Sequence, residues 1–129
     1  MKIVAEFPPN IHQIVAKFKI TPRTVYAYGD TLYNPSGLPI SQDLMIHEQT
    51  HEVQQQTYGV EQWWDKYLKE STFRLTQEVE AYREQWKFLK SVLNRLGRRA
   101  MLDKLASDLS SELYGSIINK KTAKELIDV

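Results

Sequence analysis

The sequence predicts an α+β fold: a short N-terminal antiparallel or mixed sheet followed mostly by helices, in one domain over residues 1–129. Three observations lead there. Alternating, aromatic-rich stretches of strand character end by Tyr33. A loop-forming run, Asn34-Pro35-Ser36-Gly37-Leu38-Pro39, follows them. From Ser41 onward, long stretches free of Gly and Pro and dense in helix formers take over.

In chain order, Lys2–Phe7 alternates enough for a first strand. Pro8-Pro9 and Asn10 start a short helix over Ile11–Phe18, with Ile11, Ile14, Val15 and Phe18 as its apolar stripe. Arg23–Tyr28 reads as a second strand, Gly29-Asp30 as a turn and Thr31-Leu32-Tyr33 as a returning or edge strand. Ser41 and Asp43 are N-cap candidates for a helix reaching Tyr58, where Gly59 is a natural stop. A short aromatic helix is expected near Glu61–Leu68 and one long helix over Glu70–Leu93. A break at Gly97 then separates off helices near Arg99–Tyr114 and Lys121–Ile127. There is no internal repeat, low-complexity tract or linker.

A chain of 129 residues is large enough for one core but not for a second lobe. A net charge of +1 argues against a dominant role on nucleic acid or a membrane surface. No apolar run is long enough to span a bilayer, and the N-terminus lacks the basic-then-apolar layout of a signal peptide. The chain has no cysteine, which excludes disulfides and thiolate metal sites and fits a reducing, cytoplasmic location. Any metal would be held by His and carboxylate ligands, a set that suits a catalytic zinc with an open position for water.

Within the expected Ser41–Tyr58 helix lies His47-Glu48-Gln49-Thr50-His51, an HExxH string. Histidines at i and i+4 leave one face of a helix and can reach a single metal ion. Glu48 is rotated by about a third of a turn, poorly placed as a ligand but well placed to hydrogen-bond a water held by that ion. A third ligand should come from a second helix. In the long helix, Glu78 lies one turn after Arg74 and one turn before Tyr82, so a cation and a phenol are expected to orient its free oxygen. Glu80 and Glu84 fall on other faces and read as solvated.

HEQTH followed by Glu78-Val79-Glu80-Ala81-Tyr82 resembles the gluzincin metallopeptidases over roughly Tyr28 to Trp86. In that family two histidines of HExxH and a glutamate on a later helix hold zinc, and the glutamate often begins an E-x-x-A-acidic pattern. The resemblance implies a small zincin-like domain with His47, His51 and Glu78 as metal ligands and Glu48 as general base. The alternation through Tyr82 and Gln85 also resembles small peptidase-like proteins of phage and prophage, and the size is similar to the minigluzincins. Two departures stand out. Tyr82 occupies the position where gluzincins often have Asp, and Glu52 follows His51 where an uncharged residue is usual.

The implied activity is zinc-dependent peptide hydrolysis on a peptide or protein substrate. Tyr114, Tyr58 and Tyr82 are unranked candidates for a second electrophile. The resemblance also implies an extended substrate pairing with an edge strand, for which Tyr28–Tyr33 is the candidate; an ordinary hairpin is the plainer reading. The alternative is a zinc-binding structural or interaction domain of phage origin that is catalytically idle, or one that is latent with residues after Tyr114 in its cleft.

Other conspicuous residues have bland readings. His12 is expected in solvent, and Trp63, Trp64 and Trp86 in the core. Leu105, Leu109 and Leu113 form a helix stripe. Arg95, Arg98 and Arg99 around Gly97 read as cations at a helix C-terminus, which the dipole favours over nucleic-acid binding.

Overall fold

The computed structural model describes residues 1–129. Its three strands, β1 (Lys2–Val4), β2 (Tyr26–Tyr28) and β3 (Thr31–Tyr33), form a mixed sheet in the order β1-β3-β2. β2 and β3 are antiparallel across the Gly29-Asp30 turn, with Tyr28 opposite Thr31. Gly29 adopts φ +63°, the left-handed backbone such a tight turn requires. β1 runs parallel to β3, with Lys2 opposite Thr31. Parallel neighbours need a long connection, here the segment containing helix α1 (Ile11–Lys17).

Five helices follow: α2 (Gln42–Tyr58), α3 (Val60–Lys69), α4 (Ser71–Val92), α5 (Arg95–Leu109) and α6 (Lys120–Ile127). A 3₁₀ turn at Glu112–Tyr114 separates the last two. The expected α+β class is therefore what the structure contains. The strands are shorter than the Lys2–Phe7 and Arg23–Tyr28 expected. β3 offers only three residues before the Asn34-Pro35 loop, and both neighbours can pair only along that length.

Several local expectations are corrected. The break after α4 falls at Leu93-Asn94, not at Gly97. Asn94 caps α5 by accepting a hydrogen bond from the Gly97 amide (2.9 Å), so Gly97 lies inside the first turn. Arg95, Arg98 and Arg99 consequently occupy the N-terminal end of α5, where the macrodipole disfavours cations; they are not C-terminal caps. Because α5 stops at Leu109, Leu113 and Tyr114 belong to the 3₁₀ turn instead. In α1, Val15 is exposed while Ile14 and Phe18 enter the core.

The core gathers Trp63, Trp64 and Tyr67 of α3, Val79, Tyr82, Trp86 and Leu89 of α4, and apolar residues of α5 and α6. The three tryptophans pack as expected, and His12 is exposed. α6 closes the outer side of this core. Ala123 and Ile127 are buried, and Arg83 and Trp86 of α4 hydrogen-bond Leu126 O and Asp128. No helix is long and apolar enough to cross a membrane.

α2 is unusual because its buried residues are His47, Glu48, His51, Gln54 and Gln55, with no apolar side chain among them. It docks on the sheet through Gln55, whose amide accepts from Gly29 N (2.7 Å) and donates to Ala27 O (2.9 Å). Trp64 Nε1 also donates to Ala27 O (3.2 Å). These contacts cover the outer edge of β2 at Ala27–Gly29. Thr31–Tyr33 is thus the central strand rather than an edge, which corrects the Tyr28–Tyr33 candidate; the outer strand on the α2 side is β2.

Gln55→Ala removes both partners at a fully buried position and should destabilise the protein by about 2–4 kcal/mol, read from urea melts. A change below about 0.5 kcal/mol would mean that the helix–sheet junction is held by other contacts.

Candidate metal centre

His47 and His51 project from one face of α2 toward Glu78 of α4, and all three side chains are buried. His47 Nε2 lies 3.1 Å from Glu78 Oε1, and His51 Nε2 lies 3.2 Å from Glu78 Oε2. The imidazoles meet edge to face, with centroids 4.9 Å apart. One donor atom from each of the three residues lies within 4.8 Å of the others, close enough to hold a metal ion.

Each imidazole is held from behind by a glutamine. His47 Nδ1 meets Gln85 Oε1 at 2.9 Å, and Gln85 Nε2 donates to Asp43 Oδ2 at 2.8 Å. His51 Nδ1 meets Gln54 Oε1 at 2.8 Å, and Gln54 Nε2 donates to Glu80 Oε1 at 2.9 Å and Gln77 O at 3.0 Å. A carboxylate only accepts, so it forces the amide NH₂ toward itself and the amide oxygen toward the imidazole. The ring proton is then on Nδ1, and the Nε2 lone pairs confront the Glu78 oxygens. Acceptor against acceptor at 3.1 and 3.2 Å is repulsive unless positive charge, a proton or a metal ion, sits between them. Two ligand atoms sharing one tetrahedral ion at bond lengths near 2.0–2.1 Å stand about 3.3 Å apart, close to the separation of each imidazole from its Glu78 oxygen.

The groups that orient Glu78 differ from those expected. Tyr67 of α3 donates its hydroxyl to Glu78 Oε2 at 2.6 Å. Arg74 does not bond Glu78: its Nε donates to Tyr114 O (2.9 Å) and its Nη1 to Tyr67 O (2.6 Å), with the guanidinium 4.8 Å over the Phe18 ring. Tyr82 packs edge-on against the His47 ring (4.4 Å) and shares a 2.7 Å hydrogen bond with the Tyr114 hydroxyl. Arg74 and Tyr82 share a stripe with Glu78, but each reaches past it to the segment bearing Tyr114. Asp43, an N-cap candidate by sequence, lies inside the first turn while Ser41 occupies the cap, and its carboxylate holds Gln85. Glu80 is exposed as expected, yet it anchors Gln54.

Charge follows from this geometry. Burial acts to lower the His51 pKa, but the Glu78 carboxylate against Nε2 more than reverses it and raises the value to about 9. Burial acts to raise the Glu78 pKa, and the two imidazoles overcome it, holding the carboxyl well below its usual range. Burial raises the Glu48 pKa against the opposing pull of His51 and His47. Burial and the Glu78 charge push the phenols of Tyr67, Tyr82 and Tyr114 well up, so all three remain hydrogen-bond donors.

Glu48 forms no hydrogen bond or ion pair with another side chain. It faces a cavity of ≈ 60 Å³ that it shares with His47, His51 and Glu78, walled by Phe18, Trp63 and other apolar groups. That volume holds a few waters at most. The cavity adjoins a cleft of ≈ 590 Å³ between the Thr21–Val25 side and Met101, Lys104 and Asp108 of α5. Of the three tyrosine candidates, Tyr114 borders both cavity and cleft, Tyr82 borders the cleft, and Tyr58 lies away on Phe73. No residue after Tyr114 lines either space, so the C-terminal segment does not fill the cleft.

Sequence reasoning gave Tyr67, Gln54 and Gln85 no part in the site and read Asp43 only as a helix cap. Gln54 stands one turn after His51 and Gln85 two turns after Glu78, so helical spacing carried a signal for both. Nothing in the sequence pointed to Tyr67, because only the α3–α4 packing brings it to Glu78. No protein-family model, curated protein or solved structure matches the chain.

In metal-free protein, His51 is raised from 6.5 to about 9, which contributes stability fully present below pH 6.5 and lost as pH rises through about 9. The lowered Glu78 contributes stability present above pH 4.5 and lost as pH falls. Thermal melts in chelator should therefore peak between pH 4.5 and 6.5 and decline toward pH 9; a flat profile across that range would contradict the pairing. Tyr67→Phe and Gln85→Leu should each weaken metal affinity about 10–100-fold in competition titrations, and unchanged affinity would remove their orienting role.

Proposed function

We propose that this chain is a small zinc metallopeptidase of the gluzincin kind, with a zincin-like domain that hydrolyses peptide bonds in a peptide or protein substrate. One observation carries the reading: a buried His47–His51–Glu78 group next to Glu48, a carboxylate without a protein partner that opens onto a cleft. A structural metal site needs only its ligands; a largely buried carboxylate beside it that no protein group engages and that reaches the cleft is free to exchange a proton there. Two imidazoles and a carboxylate, with no thiolate, favour zinc with an open coordination position.

Zinc held by His47, His51 and Glu78 would supply Lewis acidity, lowering the pKa of water toward ~7 and polarising a carbonyl oxygen. Glu48 accepts the proton of the attacking water and returns it to the leaving amine, and its burial-raised pKa brings it closer to neutral conditions. The protonated Tyr114 hydroxyl, oriented by Tyr82, is the donor best placed to meet negative charge developing on the carbonyl oxygen. Gln54, Gln85 and Tyr67 keep the three ligands aligned. The segment Thr24–Tyr26, which leads into the outer strand β2 ahead of the edge that Gln55 and Trp64 cover, borders the cavity and suits an extended substrate backbone. The resemblance to phage and prophage peptidases extends the proposal to a phage-encoded protein in a cytoplasmic setting.

A second reading is a zinc-binding domain without turnover. It is favoured by the way the buried group ties α2 to α4, a bond that would stabilise the fold whether or not substrate binds.

Glu48→Gln separates the two readings. It should retain one zinc per chain by elemental analysis while cleavage of casein or a peptide library falls by about 10³-fold or more. Undiminished cleavage would remove the base role. A wild-type protein whose melting temperature drops on chelation but which never turns over substrate would favour the second reading.

A further inference from the structure

The end of α4, the turn after it and the start of α5 carry charge of one sign. Between Gln85 and Leu102 there are five cations, Lys87, Lys90, Arg95, Arg98 and Arg99, and no acid. The chain has 17 Lys+Arg against 16 Asp+Glu; without these five the remainder is 12 against 16, a net charge of −4. The near-neutral total therefore hides a local excess of positive charge.

None of the five forms an ion pair, whereas Lys66, Lys69, Lys104, Lys120 and Lys124 all do. The three arginines sit in the first turns of α5, where the helix dipole opposes them, so helix stability does not account for their position. Two exposed apolar side chains lie between them in the chain, and Lys90 packs over the Trp86 ring (5.8 Å). Val92 is 59% exposed and Leu96 is 76% exposed, the latter more than any other large apolar residue of the chain.

We propose that the α4–α5 tip docks on an anionic lipid surface, with Leu96 and Val92 entering the acyl boundary and the five cations meeting lipid phosphates. An apolar wedge with a basic rim matches the two layers of such a surface. A nucleic acid would engage the cations through its phosphates and leave both apolar side chains in water. α5 runs from this tip toward the cleft. Met101 and Lys104, which line the cleft, lie four and seven residues beyond Gly97, about 6 and 10 Å of helix rise. If the peptidase reading holds, docking keeps the cleft near the bilayer and directs it to membrane-proximal polypeptide; the docking itself does not rest on that reading.

The test is vesicle co-sedimentation of the full chain carrying Glu48→Gln, so that self-cleavage cannot disturb the readout. Binding to phosphatidylglycerol–phosphatidylcholine vesicles should be at least tenfold tighter than to phosphatidylcholine alone, and at least tenfold weaker in 0.5 M than in 0.1 M salt, where the screening length is about 4 and about 10 Å respectively. The folded surface variants Val92→Ser/Leu96→Ser and Arg95→Glu/Arg98→Glu, checked by circular dichroism, should each lose about fivefold or more in affinity. Absence of binding, equal binding to both lipid compositions, or unchanged binding by the Val92→Ser/Leu96→Ser variant would overturn the proposal. So would tighter binding to a short DNA duplex than to the anionic vesicles.

Discussion

The buried side of α2 is polar, and the architecture around it is arranged to satisfy that face. A helix is ordinarily held in place by an apolar stripe. Here His47, Glu48, His51, Gln54 and Gln55 turn inward instead, where an unpaired polar group would cost several kcal/mol. Gln55 completes the outer strand of the sheet, Gln54 and His51 engage α4, and His47 reaches Glu78 and Gln85. The candidate metal centre is thus also the means by which α2 is docked. Apolar burial is supplied from elsewhere, by the tryptophans of α3 and α4 and the helices behind them.

That division of labour makes the site rigid. Glu78 contacts both imidazoles and the Tyr67 hydroxyl, and each imidazole is braced by a glutamine that an acid fixes in orientation. Arg74 fastens the wall opposite, binding the backbone carbonyls of Tyr67 and Tyr114 from one buried guanidinium. These supports come from the helices α2, α3 and α4 and the 3₁₀ turn. A donor set held this way needs little rearrangement to accept an ion, which is how preorganised sites gain affinity. Glu48 alone is left without such a partner, at the mouth of the cavity.

Much of this was legible from residue order. The helix pattern placed α2, α3, α4 and α6 to within about two residues of their observed ends. The i, i+4 histidines and a glutamate on the next long helix were chosen from spacing and resemblance, and the structure brings all three together. Spacing misled where it was asked which neighbour touches which. Arg74 and Tyr82 have the right offsets from Glu78, yet their long side chains end on Tyr114. Gly97 looked like a helix breaker but lies in a capped first turn, which reverses the end of the helix that its arginines occupy.

Sequence alone determined most of the helices, the residue types of the His-His-Glu group and the helical faces they occupy, because periodicity and side-chain chemistry are local properties. Tertiary structure decided the strand order, the glutamine braces, Tyr67 as the partner of Glu78, and the cleft between the Thr21–Val25 segment and α5. Those features depend on how far apart two elements pack and at what rotation. Such quantities emerge from burying the whole core at once, and no single segment encodes them.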